Sequence, residues 1–583
     1  MVAQAFFRQK TTGLSAIAVL AMALLLVPLA KAFSLHSSFF DLGIFESLLF
    51  RVTHFDEWPL AFAGHAQWFS LLYGWLYGLF PSAVTPYLLV GGQALLLLVP
   101  VIWFYRRYGL FAAFVYLAYV PLWANAHFDF HFDHLAVPLL MAFYLALLDR
   151  RIGWAVLSAT LVMFVKEPFA LETAACGALM LWAAFHGESI WGPPKKQVNR
   201  RLMVIGALWL IGAGIGYFCF AMGYLLPYFA PDGWGGSLGG AAFGWLGHGL
   251  GEIIRTIVTR PQAIVLDIVT TPGKLVYLGV VFGLLAFIPL LRPVFLIPAL
   301  PLLGIAMLSH LPNYYDYNTH YTAGLIVPVM FAFVHGLPKA RALWIRGGGW
   351  VWRKVFNPRP GPGPRPGPRP GPLPGGEGIS LLGENTLGVV REARLSKAFY
   401  VLLALWILGG HVMMSPSPIS RLFWSDKVWS YSWRAYVPTA RDAMMKAAME
   451  KYIPADPDVS VTTQNAVNWG YLARRKVYLP FPLGIAEPYK EMDWSNRTMK
   501  GFREFVETGY KSASITHDRY ADYVVLDLKR PWFLVDKGCE WIYGACRDKK
   551  MAKEFLGWVA YARSVYDPVF ERDGFMILKR RGT

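Results

Sequence analysis

Eleven apolar stretches, each long enough or nearly long enough to cross a bilayer, constrain this chain before any other feature does. A spanning helix needs about 17 to 25 apolar residues to bridge about 30 Å of hydrocarbon. Such stretches run over residues 13–33, 83–104, 110–126, 135–149, 153–166, 170–186, 202–229, 274–291, 293–309, 322–338 and 396–413. A soluble core could not hide them, since 55% of the 583 residues are hydrophobic and only 16% are charged, against about 25% charged in an ordinary soluble domain. The expected fold class is mainly α: a polytopic α-helical membrane protein of about 11 transmembrane helices with a C-terminal extracytoplasmic α/β domain. Residues 66–80, with Trp68, Phe69, Tyr73, Trp75 and Tyr77, read either as an aromatic helix at the interface or as one more span.

The loops between these stretches orient the chain. Lys and Arg collect in alternate connections, at Arg106-Arg107, Arg150-Arg151, Lys195-Lys196 to Arg200-Arg201, Arg292 and the segment from Lys339 to Lys397. By the positive-inside rule those connections and the N-terminus are cytoplasmic. The net charge of +18 is thereby a topology signal, and no nucleic-acid partner is expected. The expected location is the cytoplasmic (inner or plasma) membrane, multi-pass, with the C-terminal domain outside. Leu29-Ala30-Lys31-Ala32 ends the first apolar stretch like a signal-peptidase site, but that stretch is long for a signal core, so a retained span is expected.

Composition divides the chain into a transmembrane domain over 1–340, a cytoplasmic basic and Pro/Gly-rich linker over 341–395, a last transmembrane helix over 396–415 and an α/β domain over 420–583. The Pro/Gly/Arg repeat from Asn357 to Gly376 enforces extension and forbids a packed core. In the last domain, Arg441 to Tyr452 has a helical pattern, whereas Val459 to Thr462, Lys476 to Leu479, Tyr523 to Asp527 and Phe575 to Lys579 have strand patterns. Cys539 and Cys546 are close enough for a disulfide if this domain faces an oxidising compartment. Cys176 and Cys219 lie in apolar segments and read as small buried hydrophobes.

Ionisable residues at membrane depth cost about 2.5 to 3.5 kcal/mol each on insertion scales, so those that occur need a reason. Five groups stand out, all on the non-cytoplasmic side. Asp41 lies in the largely apolar segment Phe39-Phe40-Asp41-Leu42-Gly43-Ile44-Phe45-Glu46, suited either to general-base chemistry or to capping the next helix. His54 to Glu57 and His65 follow, and His65 could hold a phosphate or bond backbone. Asn125, His127, Asp129, His131, Asp133 and His134 crowd the end of the third stretch, as a substrate wall or as ligands of a divalent metal ion, for which Asp41, Asp129 and His131 are the candidates. Lys166, Glu167 and Glu172 surround Pro168, with Lys166 and Glu167 a possible simple ion pair. Asn313 to Tyr321, including Tyr314, His320 and Tyr321, suits sugar stacking or an interfacial tyrosine belt. Structural polar groups should scatter to both sides, whereas these five converge on one.

On Phe40 to Phe45, Gly64-His65, Gln93, Asp129-Phe130-His131, Leu135 to Pro138, Lys166-Glu167 and His320-Tyr321 with Pro328, the chain resembles the DUF2079 family of polytopic membrane proteins of bacteria and archaea. Val459 to Thr463, Leu472 to Pro480 and Ala521 to Asp527 extend the resemblance outside the membrane. That family is similar to the GT-C glycosyltransferases, which take a sugar from a polyprenyl-phosphate carrier. The resemblance implies that Asp41, the acid of the first outer loop, acts at the acceptor or at a metal. Leu42 stands where an Asp-Glu or Asp-Asp pair is commoner, which leaves the metal requirement open.

The expected function is transfer of a sugar from a polyprenyl-phosphate-linked donor to an extracytoplasmic acceptor, whether glycan, lipid or protein. Asp41, Asp129 and Glu167 are the expected catalytic residues; Glu46, His65, His131, His134, Lys166, Tyr314, His320 and Tyr321 are the expected substrate-binding residues. Two other readings compete: a transporter or flippase of a lipid-linked compound, and a non-catalytic scaffold or sensor with an outer binding domain. The scaffold reading requires the five groups to stand apart, more than about 15 Å from one another, beyond direct contact.

Overall fold

The computed structural model describes residues 2–62, 64–187, 199–229, 242–356, 381–425, 432–473, 481, 485, 520–530, 539–540, 545–546 and 549–582. The Pro/Gly/Arg repeat and the strand expected at Lys476 to Leu479 lie outside these residues.

Each expected apolar stretch coincides with helix, but not all are equal. Among the described residues six helices are long and apolar enough to cross a membrane: Gly13–Phe33, Thr85–Tyr108, Glu167–Phe185, Arg200–Phe229, His320–Gly347 and Glu392–Met414. Two bent pairs raise the number to eight, and Phe132–Leu148, Ile152–Val162 and Pro293–Leu308 are shorter apolar helices. The expected count of 11 therefore stands as six to eight spans by length, with three short helices besides. The aromatic helix is Phe69–Tyr77, whose nine residues rise only about 14 Å, too little to span by itself.

Proline explains where long helices fail to form. Leu110–Ala118 and Val120–His127 meet at 51° because Tyr119 is extended and Pro121 opens the second piece. The stretch expected as one span over 274–291 stops being α-helical at Val281. Ala286 and Phe287 turn left-handed, and Pro289, Pro293 and Pro298 remove backbone donors, leaving 3₁₀ turns.

Helices pack where side chains shrink. A Cβ on Gly177 would lie 2.6 Å from the Ala207 carbonyl oxygen, and one on Gly214 would lie 2.4 Å from that of Ala170. Glu167–Phe185 and Arg200–Phe220 thus approach backbone to backbone, the usual way to gain contact in lipid. Large buried aromatics bridge elements by their polar tips: Tyr119 donates to the Val281 carbonyl at 3.0 Å and Tyr144 to that of Phe295. At one end of the bundle Arg107 pairs with Asp149 at 2.6 Å, and Tyr108 meets His335 at 3.0 Å. The unusual polar residues gather at the other end.

The C-terminal region sits on that polar end. The helix Ala440–Tyr452 opens with a capping box between Thr439 and Asp442. The strands are β1 (Val461–Thr463), β2 (Tyr523–Asp527), β3 (Cys539–Glu540), β4 (Ala545–Cys546), β5 (Tyr566–Arg572) and β6 (Phe575–Arg580). Four form one sheet in the order β1-β2-β6-β5, with β1 parallel to β2 and the remaining pairs antiparallel. Every residue of β2 is buried, as a central strand requires. The helix Lys549–Val565 and strand β5 had no sequence signal strong enough to be expected. β3 and β4 pair antiparallel, with Cys539 in register with Cys546.

Arg530 fastens this domain to the membrane bundle. Its buried guanidinium donates to the carbonyls of Leu35 and Ala466, pairs with Asp442 at 3.0 Å and meets Asp527 at 3.2 Å. Asp527 in turn holds Arg441 by two 2.7 Å bonds, so the cluster closes its own charges. Lys446 donates to the Phe33 carbonyl at 2.7 Å and stands 4.2 Å over its ring.

Candidate active site

The site begins at the end of the first span. Lys31, buried within it, pairs with Asp129 at 2.9 Å and donates to the His127 carbonyl at 2.9 Å. The other Asp129 oxygen accepts the Ser38 N–H at 2.9 Å. Asp129 has φ +69°, a left-handed turn that few residues other than glycine adopt without outside support. Gln93 supplies it. Its amide donates to the carbonyls of Asn125 at 2.9 Å and Asp129 at 2.7 Å, and its oxygen accepts the His131 N–H at 3.0 Å.

Beyond this clamp the expected residues meet one another. Asp41 sits in a single π-helical turn, Phe39–Gly43, an irregularity frequent at functional sites. The following helix is capped by Gly43 without a side-chain bond, so Asp41 does not serve as its cap. Asp41 instead lies 3.5 Å from Nε2 of His131. The His131 and His320 rings stack at 3.7 Å and 14°. His320 and Lys166 each approach Oδ1 of Asp133 to 3.8 Å. Lys166 stands 5.5 Å over the Tyr321 ring, which contacts Tyr314 at 4.6 Å.

Glu167 turns away from its neighbour Lys166. It accepts from His65 at 2.7 Å and from the Ala66 N–H at 3.0 Å, so the expected Lys166–Glu167 pair gives way to two separate partnerships. His134 bonds the His131 carbonyl and lies 3.4 Å from the Tyr73 hydroxyl. Glu172 is fully buried one helical turn and more below, with neither carboxylate oxygen bonded.

Burial pushes the Asp41 carboxyl up to about 8, with the nearby Asp129 carboxylate adding to the effect. Glu46, 1% exposed, is also pushed up to about 8 by burial, against the opposing hydrogen bond from Asn468. Burial, reinforced by Lys166, holds the His131 imidazole well below its usual range, hence neutral. Unbonded buried atoms concentrate here: Nδ1 of His131, both ring nitrogens of His320 and Oδ2 of Asp133. Such groups ask for a ligand or water.

Beside them opens a small cleft lined by His65, Asp133, Lys166, Glu167, Tyr314 and Tyr321 together with the apolar Phe169, Leu302, Ile305 and Ala306. Charged and aliphatic lining in one cleft suits a ligand with a polar head and an apolar tail. Among the described residues no group of three or more His, Cys, Asp or Glu side chains is arranged to hold a metal ion. Asp129, one of the three candidate ligands, is engaged by Lys31. This donor set does not fit a divalent ion.

Two residues escaped the sequence reading because they lie in the C-terminal domain. Asn465 lies 2.9 Å from the Ser38 hydroxyl, and Asn468 donates to Glu46 at 3.0 Å. Both follow β1 in the turn Gln464 to Trp469, which brings them over the Asp41 end of the site. Their signal was the position of an amide-rich turn, Gln464 to Trp469, after a strand.

Comparison with known proteins adds three findings. No curated protein matches the chain. Among solved structures it is similar to the oligosaccharyltransferase of Archaeoglobus fulgidus, crystallised in the apo form, at 13% identity and a TM-score of 0.35, covering 89% of this chain and 70% of that one. The family described as predicted membrane protein (DUF2079) matches residues 31–353, more than half of the sequence. This chain, whose clamp, stacked histidines and cleft all fall within those residues, belongs to the DUF2079 family of membrane proteins.

Proposed function

We propose that this protein is a membrane glycosyltransferase that moves a sugar from a polyprenyl-phosphate-linked donor to an acceptor hydroxyl on the extracytoplasmic face. One observation carries the reading: a continuous file of contacts joins Asp41, His131, His320, Asp133 and Lys166, and its last two members line a cleft that also has aliphatic lining. The scaffold reading needed those groups apart.

In this mechanism Asp41 takes the acceptor hydroxyl proton. The hydroxyl oxygen forms its bond to the anomeric carbon as the bond from that carbon to the donor phosphate oxygen breaks. The leaving phosphate carries the negative charge, which the Lys166 ammonium neutralises in a poorly hydrated setting. The carrier's isoprenoid lies along Leu302, Ile305 and Ala306. Tyr314 and Tyr321 stack on the sugar, and its hydroxyls bond the unpartnered nitrogens of His131 and His320 and the oxygen of Asp133. Asp129 and Glu167 are positioning residues, Asp129 through the Lys31 turn and Glu167 through His65. No step uses a metal ion.

The test is transfer from a short-chain polyprenyl-phosphate sugar in proteoliposomes. Asp41→Asn should bind donor with unchanged affinity and lose turnover by at least about 100-fold, the usual scale for a general base. Full turnover in that variant would refute the assignment.

A further inference from the structure

After the Arg200–Phe229 span the chain forms two ten-residue helices, Leu250–Thr259 and Pro261–Thr270, the second of which turns by 85° into Pro272–Leu285. Neither has a buried residue. Leu250, Ile254, Val258, Val265, Leu266 and Val269 are each more than half exposed, Val258 as much as 71%.

Their spacing is ordered. At about 100° per residue, Leu250, Ile253, Ile254, Ile257 and Val258 occupy an arc of roughly 140° on the first helix, while Glu252, Arg255, Thr256 and Thr259 fill the opposite side. Exposed Arg255 and Arg260 border the apolar stripe. The acids nearby are engaged: Glu252 accepts the His248 N–H at 2.9 Å, and Asp267 holds Lys274 at 2.5 Å and His310 at 3.1 Å. With Asp267 paired to Lys274, Arg255 and Arg260 outnumber Glu252 and leave this surface net positive.

We propose that these two helices form a lipid-binding surface, seated in the headgroup layer of the bilayer, with their apolar stripe in the acyl boundary and Arg255 and Arg260 on anionic phosphates. Three features select lipid as the occupant. Leu275 and Val276 of the adjoining helix Pro272–Val281 are also nearly half exposed, so apolar surface is open on both sides of the bend. The guanidiniums stand where snorkelling side chains reach phosphates. A helix with this wide apolar face and a charged rim matches the pattern of interfacial helices.

The surface is tied to the cleft. Trp245 stacks on His310 at 4.6 Å and 3°, and its indole donates to the Leu308 carbonyl at 2.9 Å. His310 opens the loop that ends in Tyr314 and Tyr321. Asp267 of the second helix also meets His310 at 3.1 Å, so the helix pair and this loop share a contact. The inference concerns this surface alone and does not rest on the transfer reaction.

The test places a photoreactive benzoylphenylalanine at Val258, or at Thr259 on the polar face, in the full chain reconstituted in vesicles of equal parts phosphatidylglycerol and phosphatidylcholine. On illumination Val258 should give phospholipid adducts at least tenfold above Thr259. Arg255→Gln with Arg260→Gln should lower the phosphatidylglycerol share of those adducts. Equal adducts at both positions, or crosslinks from Val258 to a second copy of the chain, would overturn the lipid surface. An unchanged phosphatidylglycerol share would overturn the role of the two arginines.

Discussion

Gln93 offers the sharpest test of how the site is built. It sits on the Thr85–Tyr108 helix, 1% exposed, and makes three hydrogen bonds to one turn: two to carbonyls, of Asn125 and Asp129, and one from the His131 N–H. Gln93→Leu keeps nearly the same volume and removes all three. Two effects of different size then compete. The net value of a hydrogen bond within a membrane bundle averages about 0.6 kcal/mol, which predicts a loss of about 2 kcal/mol for three. An orphaned buried backbone group costs about 1 to 3 kcal/mol, which predicts at least about 3 kcal/mol for two carbonyls and one N–H. The second term should dominate, because the left-handed turn at Asp129 is fixed between Lys31 and Ser38 and cannot rotate its carbonyl to a new donor. Unfolding by titration of dodecyl sulfate into mixed micelles measures the difference. Because His131 follows the same turn, the variant should also lose transfer activity more than it loses donor binding. A stability change under about 1 kcal/mol would refute the clamp.

Two further outcomes follow from the geometry. Asp41, pushed up to about 8 by burial and by Asp129, must be deprotonated to act as a base, so transfer at low substrate should rise about tenfold per pH unit below pH 8 and level off above it; a flat profile from pH 6 to 9 would remove Asp41 from that role. Gly470 touches the membrane bundle so closely that a Cβ would lie 2.2 Å from the Ser82 carbonyl oxygen and 2.8 Å from the Pro86 ring; Gly470→Ala should cost about 1 to 3 kcal/mol of domain contact, read as faster limited proteolysis between residues 415 and 440, and cleavage at the wild-type rate would contradict the contact.

The sequence by itself determined the helices and which residues are chemically unusual. Hydropathy is a sum of transfer free energies along a segment, so the bilayer's demand for apolar length is written locally, and every expected stretch is helical. The same locality made β2 legible, since Tyr523 to Asp527 is a central strand buried on both faces. Breaks were partly legible: Pro289, Pro293 and Pro298 forbid a continuous helix, and reading 274–291 as one span gave hydropathy more weight than the missing donors.

Partnership was decided only in three dimensions. Adjacent Lys166 and Glu167 separate to Asp133 and His65 because Lys166 is still extended, outside the helix that Glu167 begins. Asp129 and Asp133, four residues apart, divide between Lys31 and the His320–Lys166 group because the turn between them is left-handed at its first residue. Asn465 and Asn468 reach Ser38 and Glu46 across more than 400 residues because the Arg530 cluster docks a separate domain there. Composition can state that a buried charge needs a partner. Which partner it finds depends on packing, and packing is not written along the chain.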